Sequence, residues 1–302
     1  MSTGVAPVSA SLIDEQLEGI AFDSVFEPFC GEAKLAFYFK RHGKRAIACD
    51  ALESRYLLAL ALVENDHVLA SPAHVQEWLT LIKDPIVAKR FSPWANRFFT
   101  PEETIWLGIW QAHLSREGLD SLLRALGATA VWLTMRYWLS FNRQELVNKP
   151  MSPPVAFQHY LQTVNTWVCN RGPRSQAIWG DATVLAPGVE ADVLVYRPGA
   201  GQGVPTFPEP AALFECWVRG QTELAPAPGV RLTETIEDFL GRVAHIPTWV
   251  LTFDDRLGLD EPALTALIER FRPVVRRAAI PIHTGGRGIP PSERLVIARA
   301  RH

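Results

Sequence analysis

The chain has 302 residues, 48% hydrophobic and 21% charged, with a net charge of −2. That composition fills a sizeable core, and the length suits two domains or one large α/β domain with an insertion. Ordinary glycine and proline contents exclude collagen-like and low-complexity classes, and no window approaches the ~18–20 uninterrupted apolar residues of a membrane helix. Met1–Ala10 holds no basic residue and no long apolar run, so no secretory signal is expected. Cys30, Cys49, Cys169 and Cys216 are widely spaced without a CxxC, which points to a reducing cytoplasm. The eight histidines show no HxxxH or HxH spacing, so no metal site is expected.

The first readable unit is Val25-Phe26-Glu27-Pro28-Phe29-Cys30-Gly31-Glu32-Ala33, a short apolar run closed by a turn. A helix is predicted from Ala33 to His42, ended by Gly43, and Arg45–Asp50 (RAIACD) reads as a second strand that finishes on a carboxylate. Strand, turn, helix and strand, with an acid about twenty residues past the turn, is the layout of a nucleotide-binding βαβ half. Gly31 lets backbone approach a ligand closely, and Asp50 can accept hydrogen bonds from ribose hydroxyls. From Ala51 to Gln162 the pattern is helical and aromatic, cut by Pro72, Pro85, Pro93 and Pro101. Its tryptophans, at 78, 94, 106, 110, 132 and 138, fall in apolar patterns and read as core. Trp132–Met151 reads as a helix running into a polar loop.

Strand character returns at Ala177–Asp181 (AIWGD) and Ala191–Tyr196 (ADVLVY), the latter closed by Arg197-Pro198-Gly199-Ala200-Gly201. Pro205–Pro228 reads as loop. A helix over Ile236–Val243, a strand over Thr248–Phe253 and a helix over Glu261–Phe271 follow. Val274–Ile282 and Glu293–Ala300 then read as two strands joined by a glycine-proline loop. Alternating strands and helices imply a parallel sheet, and the closing hairpin implies an antiparallel edge.

Charge is distributed in blocks. Residues 1–33 carry six acids and no Lys or Arg, and residues 180–269 carry fourteen acids against five arginines. Residues 135–179 hold five cations against Glu145, and residues 270–302 hold eight arginines against Glu293. The basic stretches 136–174 and 270–302 are thus two candidate faces for a polyanion such as DNA, or parts of a mixed solvated surface. Neither reading involves a membrane.

In their order along the chain these pieces resemble the Dam-type adenine-specific DNA methyltransferases, which use S-adenosylmethionine. Glu27-Pro28-Phe29-Cys30-Gly31 resembles the family's cofactor loop, and Asp50 matches its ribose-binding acid. Gly180-Asp181 stands where the family carries an acid near the cofactor adenine. Phe141-Asn142-Arg143 and Val147-Asn148-Lys149-Pro150 resemble its paired asparagine motifs. The resemblance implies a class I methyltransferase-like (Rossmann-like) sheet with a terminal antiparallel hairpin and a helical insertion. The α/β domain would comprise residues 1–55 and 170–302, and the target-recognition-like insertion residues 56–169. Glu27, Phe29, Gly31, Asp50 and Asp181 would bind cofactor, and Asn142, Arg143, Asn148, Lys149 and Arg197 would face substrate.

The resemblance fails at the chemical centre. Members carry Asp-Pro-Pro-Tyr, or Asn at its first position, after the fourth strand; here the residues are Arg197-Pro198-Gly199-Ala200. An exocyclic amine is a poor nucleophile because its lone pair is delocalised into the ring. The family's acid and a proline carbonyl accept its hydrogens, and the tyrosine stacks on the flipped base. Arginine offers only donors and a fixed charge, and Ala200 has no ring. The family's lysine-containing opening motif is missing too, and Ala33 replaces the second loop glycine. Asp192 and Asp254 are the neighbouring carboxylates that stand as candidate substitutes for the lost acceptor. Two functions stay open. One is a divergent S-adenosylmethionine-dependent methyltransferase with a changed target or chemistry, Arg197 suiting an anionic small molecule or a phosphate. The other is a catalytically inactive homologue that binds DNA or a protein partner.

Overall fold

The computed structural model describes residues 8–142, 149–197, 209–223, 236–253, 261–281 and 292–300. The chain divides into two units. One comprises Met1–Ala51, Arg171–Gly203 and Val230–His302; the other comprises Leu52–Asn170 and Val204–Gly229.

The first unit is built on seven strands: β1 (Ser24–Pro28), β2 (Arg45–Asp50), β3 (Gln176–Trp179), β4 (Val193–Tyr196), β5 (Thr248–Phe253), β6 (Val274–Pro281) and β7 (Ser292–Arg299). Their spatial order is β3-β2-β1-β4-β5-β7-β6. The first five run parallel, and β7 inserts antiparallel between β5 and β6. This is the class I methyltransferase-like sheet, with its antiparallel end, that the sequence implies.

Both faces of the sheet are covered, and strand alternation decides which side chain goes where. Phe26, Leu194, Tyr196, Trp249, Leu251 and Val296 join one core with Phe239, Leu240, Leu264 and Ile268 from the helices Ile236–Arg242 and Glu261–Glu269. Val25, Val193, Val195, Val250, Leu295 and Ile297 point the other way, onto Ile13 of the helix Val8–Gln16 and Phe39 of the helix Lys34–Arg41. Successive residues of β4 alternate strictly between the two cores. Arg272 closes the edge of the unit, stacked 3.5 Å over the Trp249 ring. It donates to the carbonyls of Ile246 (2.5 Å), Pro247 (2.9 Å) and Ala244 (2.8 Å).

The second unit is helical. The prolines that punctuate its sequence open helices, because proline at the first helical turn lacks only an amide hydrogen that would have no partner there. Pro72, Pro85, Pro101 and Pro153 each begin one. Thr100 and Glu103 form a reciprocal capping box ahead of Pro101–Leu114. A side chain at Gly108 would lie 2.1 Å from the Val87 carbonyl oxygen, so only glycine admits the helix Pro85–Lys89 that closely. The tryptophans at 78, 94, 106, 110, 132 and 138 are all buried here.

Two expectations need correcting. Pro205–Pro228 reads as loop, but Pro210–Val218 is a helix whose residues 212–218 are all buried. A helix apolar on every side has no amphipathic period to reveal it. The same helix moves residues 204–229 out of the α/β domain, to which the sequence assigns them, and into the helical unit. Phe214 stacks on Trp132 at 5.0 Å, the Trp217 indole donates to the Leu107 carbonyl (2.9 Å), and Glu215 accepts from the Ser54 amide (2.9 Å).

Candidate functional site

In an open parallel sheet, ligands bind beyond the carboxyl ends of the strands, where the strand order reverses. Here that reversal lies between β1 and β4. Tertiary structure brings Glu27, Gly31, Asp50, Asp181 and Arg197 to the carboxyl ends of β1 to β4.

The turn after β1 is conformationally unusual. Phe29, Gly31 and Ala33 have φ of 54°, 57° and 53°, left-handed at every second residue. Such geometry at non-glycine residues costs energy and clusters at functional loops. Its amides are tied down: Cys30 donates to the Cys49 carbonyl (2.9 Å) and Ala33 to the Cys30 carbonyl (2.8 Å). Gly31 donates to Asp50 Oδ2 (3.0 Å). Space is open where a Cβ would stand on Gly31. Asp50 itself is only 2% exposed, and its carbonyl accepts from the Gly180 amide (3.0 Å).

Glu27 caps the following helix from outside. Ala33 at the N-cap has no acceptor in its side chain, and Glu27 Oε2 takes the Ala36 amide hydrogen instead (2.8 Å). Burial pushes the Glu27 carboxyl up to about 8, and neighbouring Asp50 adds to the shift. The Ala36 amide and Arg197 oppose it without prevailing. Cys49 is raised to about 12 by burial and by Asp50 and Asp181, which leaves it an inert thiol. Asp181 lies exposed after β3, where its Oδ1 caps the short helix Ala182–Leu185 by accepting from the Thr183 amide (2.8 Å) and hydroxyl (2.7 Å).

Phe29 turns inward, with ring centroids 6.1 Å from Tyr196 and 5.5 Å from Phe239. Tyr196 is buried in the same cluster, so it cannot serve as the missing stacking ring. Arg197 follows β4 directly and is exposed. Pro198, Gly199 and Ala200 lie outside the described residues, as do Arg143, Asn148, Asp254 and the side chain of Asn142.

Three sequence-based candidates take positions the sequence did not show. Lys149, expected to face substrate, is paired with Glu103 and largely buried. Asp192 precedes β4, at the end of the strand opposite the site, and cannot replace the lost acceptor. Among the described residues after 269, several arginines of the basic stretch have partners. Arg270 pairs with Glu237 (2.6 Å), Arg277 with Glu269 (3.7 Å) and Arg294 with Glu261 (3.3 Å). Arg272 is buried, and Arg276 donates to the carbonyls of Gln16 and Glu18.

One residue at the rim escaped the sequence reading. Trp179 is the register partner of Asp50, is 56% exposed, and donates its indole hydrogen to the Ala51 carbonyl (3.2 Å). Its signal was an aromatic at a strand's carboxyl end, directly before Gly180-Asp181.

Residues 10–90 match the family model of the D12 class N6 adenine-specific DNA methyltransferases. Over this stretch the chain resembles DNA adenine methyltransferases. The resemblance covers β1, the Phe29–Ala33 turn, the helix that Glu27 caps and β2, and runs into the helical unit. Asp181, Arg197 and the 141–150 segment lie beyond it. No curated protein matches the chain. Among the described residues no helix is long and apolar enough to cross a membrane, and no group of three or more metal-ligating side chains could hold an ion.

Proposed function

We propose that this protein is an S-adenosylmethionine-binding methyltransferase related to the DNA adenine methyltransferases, with a changed target or chemistry. The observation that carries the reading is Gly31 and Asp50 joined at the carboxyl ends of β1 and β2, inside the stretch that matches the family. The donor set suits the cofactor. An open backbone at Gly31 admits a nucleoside, and Asp50 and Asp181 at the neighbouring strand ends suit a ligand that carries positive charge and ribose hydroxyls. Asp50 would hold the ribose, and Asp181, beside the strand end, the purine side. When bound, the cofactor supplies a methyl group on a sulfonium.

The acceptor side differs. Arg197 stands where an adenine-directed site needs a hydrogen-bond acceptor, and it can only donate. Its fixed positive charge opposes the charge that develops on a methylated amine and suits an anionic group, a carboxylate or phosphate, on the substrate. Loss of one well-placed stabiliser typically costs ~10²–10³ in rate, and here the acceptor and the ring are both replaced.

Calorimetric titration with S-adenosylmethionine tests the cofactor half, and unmethylated DNA with labelled cofactor tests the chemistry. Binding without label on adenine is the expected result. Label transferred to adenine at an enzymatic rate would overturn the changed-chemistry reading. The second reading, an inactive homologue, is favoured by the near-complete burial of Asp50. Absence of cofactor binding would select it.

A further inference from the structure

Of the ten tryptophans, all among the described residues, eight are buried and Trp167 is half-buried, while Trp179 is 56% exposed. The exposure is not that of a loose side chain. Trp179 ends β3, and its indole N–H donates to the Ala51 carbonyl (3.2 Å), so the ring is held toward the end of β2. The next residue is strapped to the same strand end. The Gly180 amide donates to the Asp50 carbonyl (3.0 Å), and the Cys49 thiol donates to the Gly180 carbonyl (3.5 Å). With its one polar hydrogen bonded inside the protein, what the Trp179 side chain leaves to solvent is the apolar ring system. Val184, 67% exposed, and Leu185 extend this apolar rim, and Leu185 Cδ1 lies only 2.6 Å from where a Cβ on Gly180 would stand.

We propose that Trp179 is the stacking shelf for the base of the nucleoside, on which a purine lies flat while Asp50 holds its ribose. This rests on the cofactor reading above and names the residue that gives the site its preference for a purine.

Strand order carries the placement. Gly31, where the backbone is open, follows β1 and donates to Asp50 Oδ2 at the end of β2 (3.0 Å). Asp50 is in turn the register partner of Trp179 at the end of β3. Neighbouring parallel strands lie about 4.8 Å apart, so Gly31, Asp50 and Trp179 follow one another along the carboxyl edge in steps that suit one nucleoside. A ribose at the Asp50 carboxyl puts the base one strand further on, over Trp179, with Asp181 two residues beyond. Any base offers a π face to an aromatic side chain, and the two-ring indole overlaps a two-ring purine more fully than a pyrimidine. An exposed apolar rim also suits a protein partner, but the open glycine and the carboxyl group in line with it are the donor set of a nucleoside.

Calorimetry on the full chain, with S-adenosylmethionine and adenosine as probes, and iodide quenching of tryptophan fluorescence test this. Trp179→Ala should weaken both probes about ten- to a hundredfold, and Trp179→Phe, which keeps a ring, should recover most of the loss. Both variants should melt close to wild type, because the side chain is exposed. Uridine should bind wild type more weakly than adenosine does, and that gap should narrow in Trp179→Ala, which a merely structural role would not cause. The iodide-accessible emission, assigned to Trp179 by its absence from Trp179→Phe, should become shielded when either probe binds. Equal affinities in wild type and Trp179→Ala overturn the shelf while the methyltransferase reading stands, and so does Trp179 emission that stays open to iodide in the bound state. If wild type binds neither probe, the cofactor reading fails and the shelf fails with it; the wild-type titration alone identifies that case. Trp179 emission that is already shielded without ligand, in proportion to protein concentration, would assign the ring to a contact between copies of the chain and overturn the proposal.

Discussion

Asp192 offers the cleanest separation of structural from chemical roles. Its Oδ2 accepts from the amides of Asp23 (2.9 Å) and Ser24 (2.8 Å) and from the Ser24 hydroxyl (2.7 Å), while its own amide donates to Ser24 Oγ (2.9 Å). The starts of β1 and β4 are thus clipped together. Burial works against the charge, but the Ser24 hydroxyl, the two amides and nearby Lys44 outweigh it and hold the carboxyl below its ordinary 3.8. A hydrogen bond to a charged group is worth about 1.5–3 kcal/mol, and part of that returns when exposed amides reach water. Asp192→Ala should therefore cost about 2–3 kcal/mol, and Asp192→Asn, which keeps one acceptor, about 1–2 kcal/mol. Urea unfolding at pH 7 measures both, with an unchanged slope showing that the denatured state is unaffected. Because the folded value is depressed, this stability is present above the ordinary value and disappears as pH falls through the folded one. The gap between wild type and Asp192→Asn should accordingly close below about pH 4. An alanine variant within 0.5 kcal/mol of wild type would refute the clip. Loss of methyl transfer in a stable Asp192→Asn would return this residue to the chemistry.

Arg272→Ala should be among the costliest changes in the α/β unit. It removes three carbonyl bonds and a stacked cation from the Trp249 face, about 3–4 kcal/mol by thermal or denaturant unfolding, and Arg272→Lys should recover little because an ammonium lacks the planar fork. In the helical unit, Lys149→Met should cost about 3 kcal/mol by leaving the buried Glu103 carboxylate without its cation, whereas Lys149→Met with Glu103→Gln should cost clearly less in the same unfolding assay. Asp50→Ala should weaken S-adenosylmethionine by about 1–3 kcal/mol by calorimetry; unchanged affinity would remove Asp50 from the site. Duplex DNA binding, where present, should show a log–log salt slope of about −0.9 per neutralised phosphate, and removing Glu237, Glu261 and Glu269 by glutamine should strengthen it by unmasking Arg270, Arg294 and Arg277.

The sequence by itself determined the βαβ start of the sheet and its closing hairpin. Val25–Pro28, Arg45–Asp50 and Thr248–Phe253 are short apolar runs between strong turn signals, and the strands lie within a residue or two of where those signals place them. The alternation of β4 between two cores is legible once a sheet covered on both faces is assumed. It also determined that Gly31, Asp50 and Arg197 stand at strand ends, because each follows a buried run directly. Tertiary structure alone decided the rest, since the deciding partners are far apart in the chain. Pro210–Val218 is a helix because the interior of the helical unit surrounds it, and no amphipathic stripe announces that. Arg270, Arg294 and Arg277 are paired because Glu237, Glu261 and Glu269 fold beside them. Lys149 is turned inward by Glu103, and Asp192 is carried to the far end of the sheet by the direction of β4. Glu27 shows the limit most plainly: a strand residue by its pattern, it becomes the outside cap of the following helix only when the Ala36 amide folds against it.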